Sequence, residues 1–129
     1  MATERKIRGH VYRCDKLSAA DAVLLFGEFS RLFDPFTLQA IRDGDAVKLA
    51  CENYLALSAN SPNPTELQAF MTRAVELCRV GSDPAIVGVK PAGLEDFAEV
   101  AFFALEVQFR DFLAVALAAR SSGETDRAA

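Results

Sequence analysis

The sequence has no tryptophan, one histidine and three cysteines in 129 residues, and each scarcity closes off a class of chemistry. His10 alone cannot assemble a catalytic group, because a base or nucleophile needs an oriented partner side chain and no serine or cysteine motif lies beside it. It reads as a turn residue. Cys14, Cys51 and Cys78 are odd in number and far apart in sequence, which suits neither a disulfide framework nor a zinc site of the Cys-x-x-Cys type, so they read as reduced packing residues. Gly81, Gly88 and Gly93 stand apart from one another, and no glycine-rich phosphate loop is present. Runs of Lys or Arg are missing too: fourteen basic against eighteen acidic residues give a net charge of −4, without the basic footprint of a nucleic-acid binder. The most apolar stretch, 97–119, carries Glu99, Glu106, Arg110 and Asp111, each costing about 2.5 to 3.5 kcal/mol at a membrane centre. The charged N-terminus lacks the apolar core of a secretory signal. The expectation is a protein of the reducing cytoplasm that is not an enzyme and has no cofactor, no metal, no nucleic acid and no membrane as partner.

What is present is apolar surface arranged for helices. At 129 residues the chain suits one domain, and its apolar fraction of 51% is enough for one core. The expected fold class is mainly α, a small bundle of four to five helices with an N-terminal β-hairpin at about 5–15. The domain is assigned to 1–120 and a disordered tail to 121–129, which holds no large apolar residue. Ile7, Val11 and Tyr12 flank a Gly9-His10 pair that suits a two-residue hairpin turn. Ser18 starts a helix over 19–33, and Asp34-Pro35 stops it. Short helical segments follow at 37–42 and 46–57, the second with Val47, Ala50, Cys51, Tyr54 and Leu55 on one face. Residues 58–64 read as a loop, and Thr65-Glu-Leu-Gln68 as a capping box for a helix that ends at Gly81-Ser-Asp-Pro84. Residues 85–89 form a short strand or an extended connector.

The last helix, over 94–119, is phased with Phe97, Val100, Ala101, Ala104, Leu105, Val107 and Phe112 on its buried arc and Glu95, Glu99, Glu106 and Arg110 on a charged stripe. Phe102, Phe109 and Leu113 then fall in or beside that stripe. Glu95, Asp96 and Glu99 read as a solvated face rather than a metal site, since acidic groups suit a first helical turn and no histidine completes a ligand set. Ten phenylalanines, several placed where a single chain would expose them, point to a partner groove or a self-association surface. The alternative is that the helical phase is offset and these residues are ordinary core. On the first reading the partner-binding residues are Leu25, Phe29, Leu32, Phe36, Phe102, Phe109 and Leu113, and joint replacement of Phe29 and Phe102 by aspartate leaves the fold intact.

Two stretches carry a family resemblance. Gly9-His-Val-Tyr-Arg-Cys-Asp-Lys-Leu-Ser-Ala-Ala-Asp21 and Gly93-Leu-Glu-Asp-Phe-Ala-Glu-Val-Ala-Phe-Phe-Ala-Leu-Glu-Val-Gln-Phe-Arg-Asp-Phe-Leu113 resemble the opening and closing segments of the tail assembly chaperones of long-tailed phages, an arrangement spanning most of 7–113. The resemblance implies a non-virion protein of the infected host's cytoplasm that coats the apolar tape measure protein and brings tail tube protein to it, either singly or as a homo-oligomer. The competing reading is a small all-α adaptor or regulatory protein that binds another protein through the same apolar helix face.

Overall fold

A computed structural model describes the backbone of residues 2–128 and the side chains of residues 3–119. Arg8 and Gly9, with φ of 48° and 88°, form the two-residue turn that matches the twist of a hairpin. This turn joins β1 (Ala2–Ile7) to β2 (His10–Asp15), and His10 pairs with Ile7. The turn is one residue earlier than the sequence suggests, because Arg8 takes the left-handed conformation. Along β2 the buried residues alternate, Tyr12 and Cys14 facing inward.

The expected fold class needs one correction: the sheet is larger than a hairpin. β3 (Cys78–Val80) pairs antiparallel with β2, and β4 (Asp83–Pro84) with β3, giving four strands in the order β1-β2-β3-β4. Strands of three and two residues show no alternation of their own. They become strands because an open edge of the hairpin lies beside them. The segment expected as strand or connector at 85–89 is a connector, closed by a bridge between Ile86 and Lys90.

Five helices are formed among the described residues. α1 (Ala19–Leu32) is capped by Ser18, whose hydroxyl accepts from the Asp21 N–H. α2 (Pro35–Asp43) starts with Pro35 in its first turn and Asp34 as its cap, the carboxylate accepting from Thr37 N–H at 2.7 Å. It stops at Gly44, which is left-handed with φ of 78°. Asp34→Ala removes that bond and is expected to cost about 1 kcal/mol, lowering Tm by about 4 °C in a calorimetric scan.

α3 (Ala50–Asn60) starts four residues later than expected, because 46–49 form turns and the Val47 N–H is donated to Glu106 Oε1 at 3.1 Å. Its inner face is Ala50, Asn53 and Leu57, leaving Cys51 and Leu55 exposed, and its last turn absorbs part of the expected loop. α4 (Pro64–Glu76) is capped by Asn63, not by a box at Thr65, because Pro64 fits the first helical turn and Asn63 Oδ1 accepts from Glu66 N–H at 3.1 Å.

α5 (Leu94–Ala128) is the axis of the molecule, packed by α2, α3, α4 and the β1–β2 hairpin. From Phe97 to Leu105 every residue but Glu99 is buried, a helix apolar nearly all round because neighbours cover it on most sides. At 1.5 Å per residue α5 is about 52 Å long, longer than the layer of short helices around it. The tail expected at 121–129 falls on this last segment: the backbone continues as α5 through Ala128, and the side chains there lie outside the described residues.

Candidate functional site

α1 lies across α5 through a ladder of rings. Phe33 meets Phe102 at 6.2 Å between centroids, Phe29 stacks on Phe109 at 4.7 Å, and Phe26 meets Phe112 edge-on at 5.0 Å. At the lower rungs the rings are sealed by α4, whose Phe70 contacts both Phe29 and Phe33. The upper rung has no such cover. Ala19, Ala22, Val23 and Phe26 of α1 and Gln108, Phe109 and Phe112 of α5 leave an open hollow of about 300 Å³ between the helices. At its rim Val23 is 70% exposed and Phe112 is 53% exposed, and Val115, one turn further along α5, is 70% exposed. Exposed apolar side chains gathered at one hollow are the usual mark of a protein-binding surface.

The structure redistributes the seven residues assigned from sequence. Leu25, Phe29, Phe102, Phe109 and Leu113 are buried, Leu32 is half-buried and Phe36 is 75% exposed. The expectation that Phe102, Phe109 and Leu113 face outward is therefore overturned, and Phe112, placed on the buried arc, is instead exposed. The cause lies in the surroundings of α5: a helix covered on most sides has no single buried arc for a periodicity to find. The expectation that aspartates at 29 and 102 leave the fold intact falls with it. Val23 and Gln108, which line the hollow, are not among the seven.

Polar groups fix the walls. Gln108 accepts from Leu17 N–H at 2.9 Å and donates to the Asp15 carbonyl at 2.7 Å, tying the start of α1 to α5. Lys16 pairs with Asp111 at 3.1 Å beside it. Below, Arg73 binds Glu28 and Arg31 binds Glu66, joining α1 to α4. The acidic group at the start of α5 is also explained: Arg8, held out by the hairpin turn, reaches both Asp96 and Glu99 at 2.9 Å. Among the described residues no three His, Cys, Asp or Glu side chains gather as a metal site, and no helix is long and apolar enough to cross a membrane. His10 is exposed at the start of β2.

One carboxyl on α5 titrates away from its ordinary value. Burial raises the Glu106 pKa above 4.5, against the Val47 N–H bond and the charges of Arg5 and Arg110, which lower it. The folded chain therefore keeps this proton to higher pH than the unfolded chain. Its contribution to stability is full below 4.5 and declines as pH rises from there through the raised value. Glu106→Gln keeps a carbonyl for Val47 and is expected to flatten that decline in thermal melts taken as pH rises from 4.5.

A second apolar hollow, about 320 Å³, lies between α3 and the start of α5 among Tyr54, Leu55, Leu94 and Ala98. It is separate from the first and lacks aromatic rungs between the helices beyond the Tyr54–Phe97 contact. No curated protein and no solved structure matches this chain. A family model described as phage tail assembly chaperone protein, TAC, matches residues 8–121, which covers both helices of the ring ladder and the whole sheet from β2 onward, and the chain belongs to that family.

Proposed function

We propose that the chain binds the tape measure protein through the hollow between α1 and α5 and helps bring tail tube subunits to it during tail morphogenesis, in the host cytoplasm. The observation that carries this reading is the open apolar hollow between the helices, with Val23 and Phe112 exposed at its rim beside Phe26 and Phe109. A long helical partner exposes apolar seams until its final coat is in place, and such a seam fits the known mode in which an amphipathic helix lays its apolar face in a groove. Leu32 and Phe36 extend the contact at the far end of α1. Leu25, Phe29, Phe102 and Leu113 act beneath it, as the packing that holds the two helices in place. The net charge of −4 keeps the loaded complex dispersed.

The test is co-expression of the full chain with the tape measure protein of the same phage. Stoichiometric co-purification, with the tape measure protein moving from the pellet to the supernatant, is the expected result. A tape measure protein that stays insoluble and unbound in the presence of this chain overturns the reading, and would leave the adaptor reading, with a different partner, in its place.

A further inference from the structure

Cys14 and Cys78 stand directly opposite each other across the β2–β3 pairing, both are buried, and both are free thiols. Opposed residues of an antiparallel pair have Cα atoms about 4.5 to 5.5 Å apart, within the range of about 4.4 to 6.8 Å that a disulfide spans. Being directly opposite, the two side chains leave the same face of the sheet, toward the core. The third cysteine, Cys51, is exposed on α3 with no cysteine opposite it.

We propose that Cys14 and Cys78 are a redox pair that a hydroperoxide closes into a disulfide across the two strands. The Cys14 sulfur attacks one peroxide oxygen; the O–O bond breaks, an alcohol or water leaves, and Cys14 becomes a sulfenic acid. The Cys78 sulfur then attacks the Cys14 sulfur. An S–S bond forms, the S–O bond breaks, and water leaves with the Cys78 proton. In sum, two thiol hydrogens with their electrons pass to the peroxide.

The surroundings assign the roles. Cys14 is held below the ordinary thiol range chiefly by the neighbouring Cys78 thiol, against burial, and further by the Gln108 amide, whose Nε2 lies 3.7 Å from its sulfur. Cys78 is pushed up by the same pairing and by burial, so it stays protonated until Cys14 has reacted. The Gln108 amide beside its sulfur makes Cys14 the attacking group, a donor there favouring the thiolate, and Cys78 the resolving one. Gln108 also lines the hollow between α1 and α5, so the pair sits one side chain away from the proposed docking surface. In a reducing compartment the dithiol is the resting form, and the disulfide is a response to peroxide.

The purified full chain is treated with hydrogen peroxide under native conditions, alkylated, digested without reductant and mapped by mass spectrometry. A linked pair of peptides holding Cys14 and Cys78, from monomeric protein, is expected. A rise in Tm of about 10 °C that dithiothreitol reverses is expected with it, since the bond closes a long loop. The same linkage is expected in Cys51→Ser, which removes the exposed thiol from competition. Recovery of both cysteines as alkylated thiols, their oxidation to sulfinic acids without a linked peptide, or linkage only between chains overturns the proposal. The measurement uses the unaltered fold, so it does not depend on how replacements at the two buried positions behave.

Discussion

Phe102→Asp is expected to leave no cooperative unfolding transition in urea at 25 °C. Phe102 is fully buried on α5, with Phe33 edge-on to it and helix neighbours on most sides. Removing a buried phenylalanine costs about 3 to 5 kcal/mol through lost transfer and the cavity left behind. The aspartate must in addition, among the apolar side chains of the core, either bury a charge or take up a proton against its ordinary preference. Together these match or exceed much of the about 5 to 15 kcal/mol that holds a domain folded. Phe102→Leu, which keeps most of the volume, is expected to melt cooperatively at reduced urea. A Phe102→Asp chain that melts like the parent would remove Phe102 from the core and restore the surface role the sequence suggests for it.

Val23→Asp combined with Phe112→Asp is expected to do the opposite: keep the helical signal and a cooperative melt, and weaken capture of the tape measure protein at least about 100-fold. Val23 is mostly exposed, so its loss removes little buried area. Phe112 gives up one edge-on contact with Phe26, a cost of about 1 kcal/mol. At an interface both effects reverse in weight. A central aromatic anchor is commonly worth 2 kcal/mol or more, and two carboxylates placed in an apolar seam must be desolvated without partners. Affinity is read by titration against the purified partner and stability by circular dichroism on the same samples. Parent-like affinity in a folded double variant would place the contact elsewhere, the hollow beside Leu55 and Leu94 being the next surface to replace.

The two experiments separate core from surface on the same pair of helices, which is the distinction the sequence left open. Several boundaries were legible because they rest on local chemistry. Ser18 caps α1 with its own side chain, Asp34-Pro35 ends that helix, and Gly44 takes the left-handed stop after α2. The amphipathic pattern of α4 was legible for the same reason, with Leu67, Phe70, Met71 and Ala74 at helical spacing and all buried. The family was legible in the segments around Ser18 and Phe97.

The facing of α5 was not legible. Glu99 and Glu106 on its surface made a charged stripe look continuous, yet one is neutralised by Arg8 from the hairpin turn and the other receives the Val47 N–H from the start of the third helical segment. Partners distant in sequence leave no mark on local periodicity. The juxtaposition of Cys14 with Cys78 has the same origin, since β3 is three residues long and is defined by what it pairs with.

The sequence by itself thus determined the order of helices, the stops of α1 and α2, the hairpin and the surplus of phenylalanine, because caps, turns and apolar spacing act within a few residues. Only the tertiary structure decided which phenylalanines are spent in the core and which stay exposed at the α1–α5 hollow. The reason is physical: α5 is apolar on nearly every side, so its exposed face is whatever the surrounding helices and sheet fail to cover, and that depends on how far each of them reaches along it.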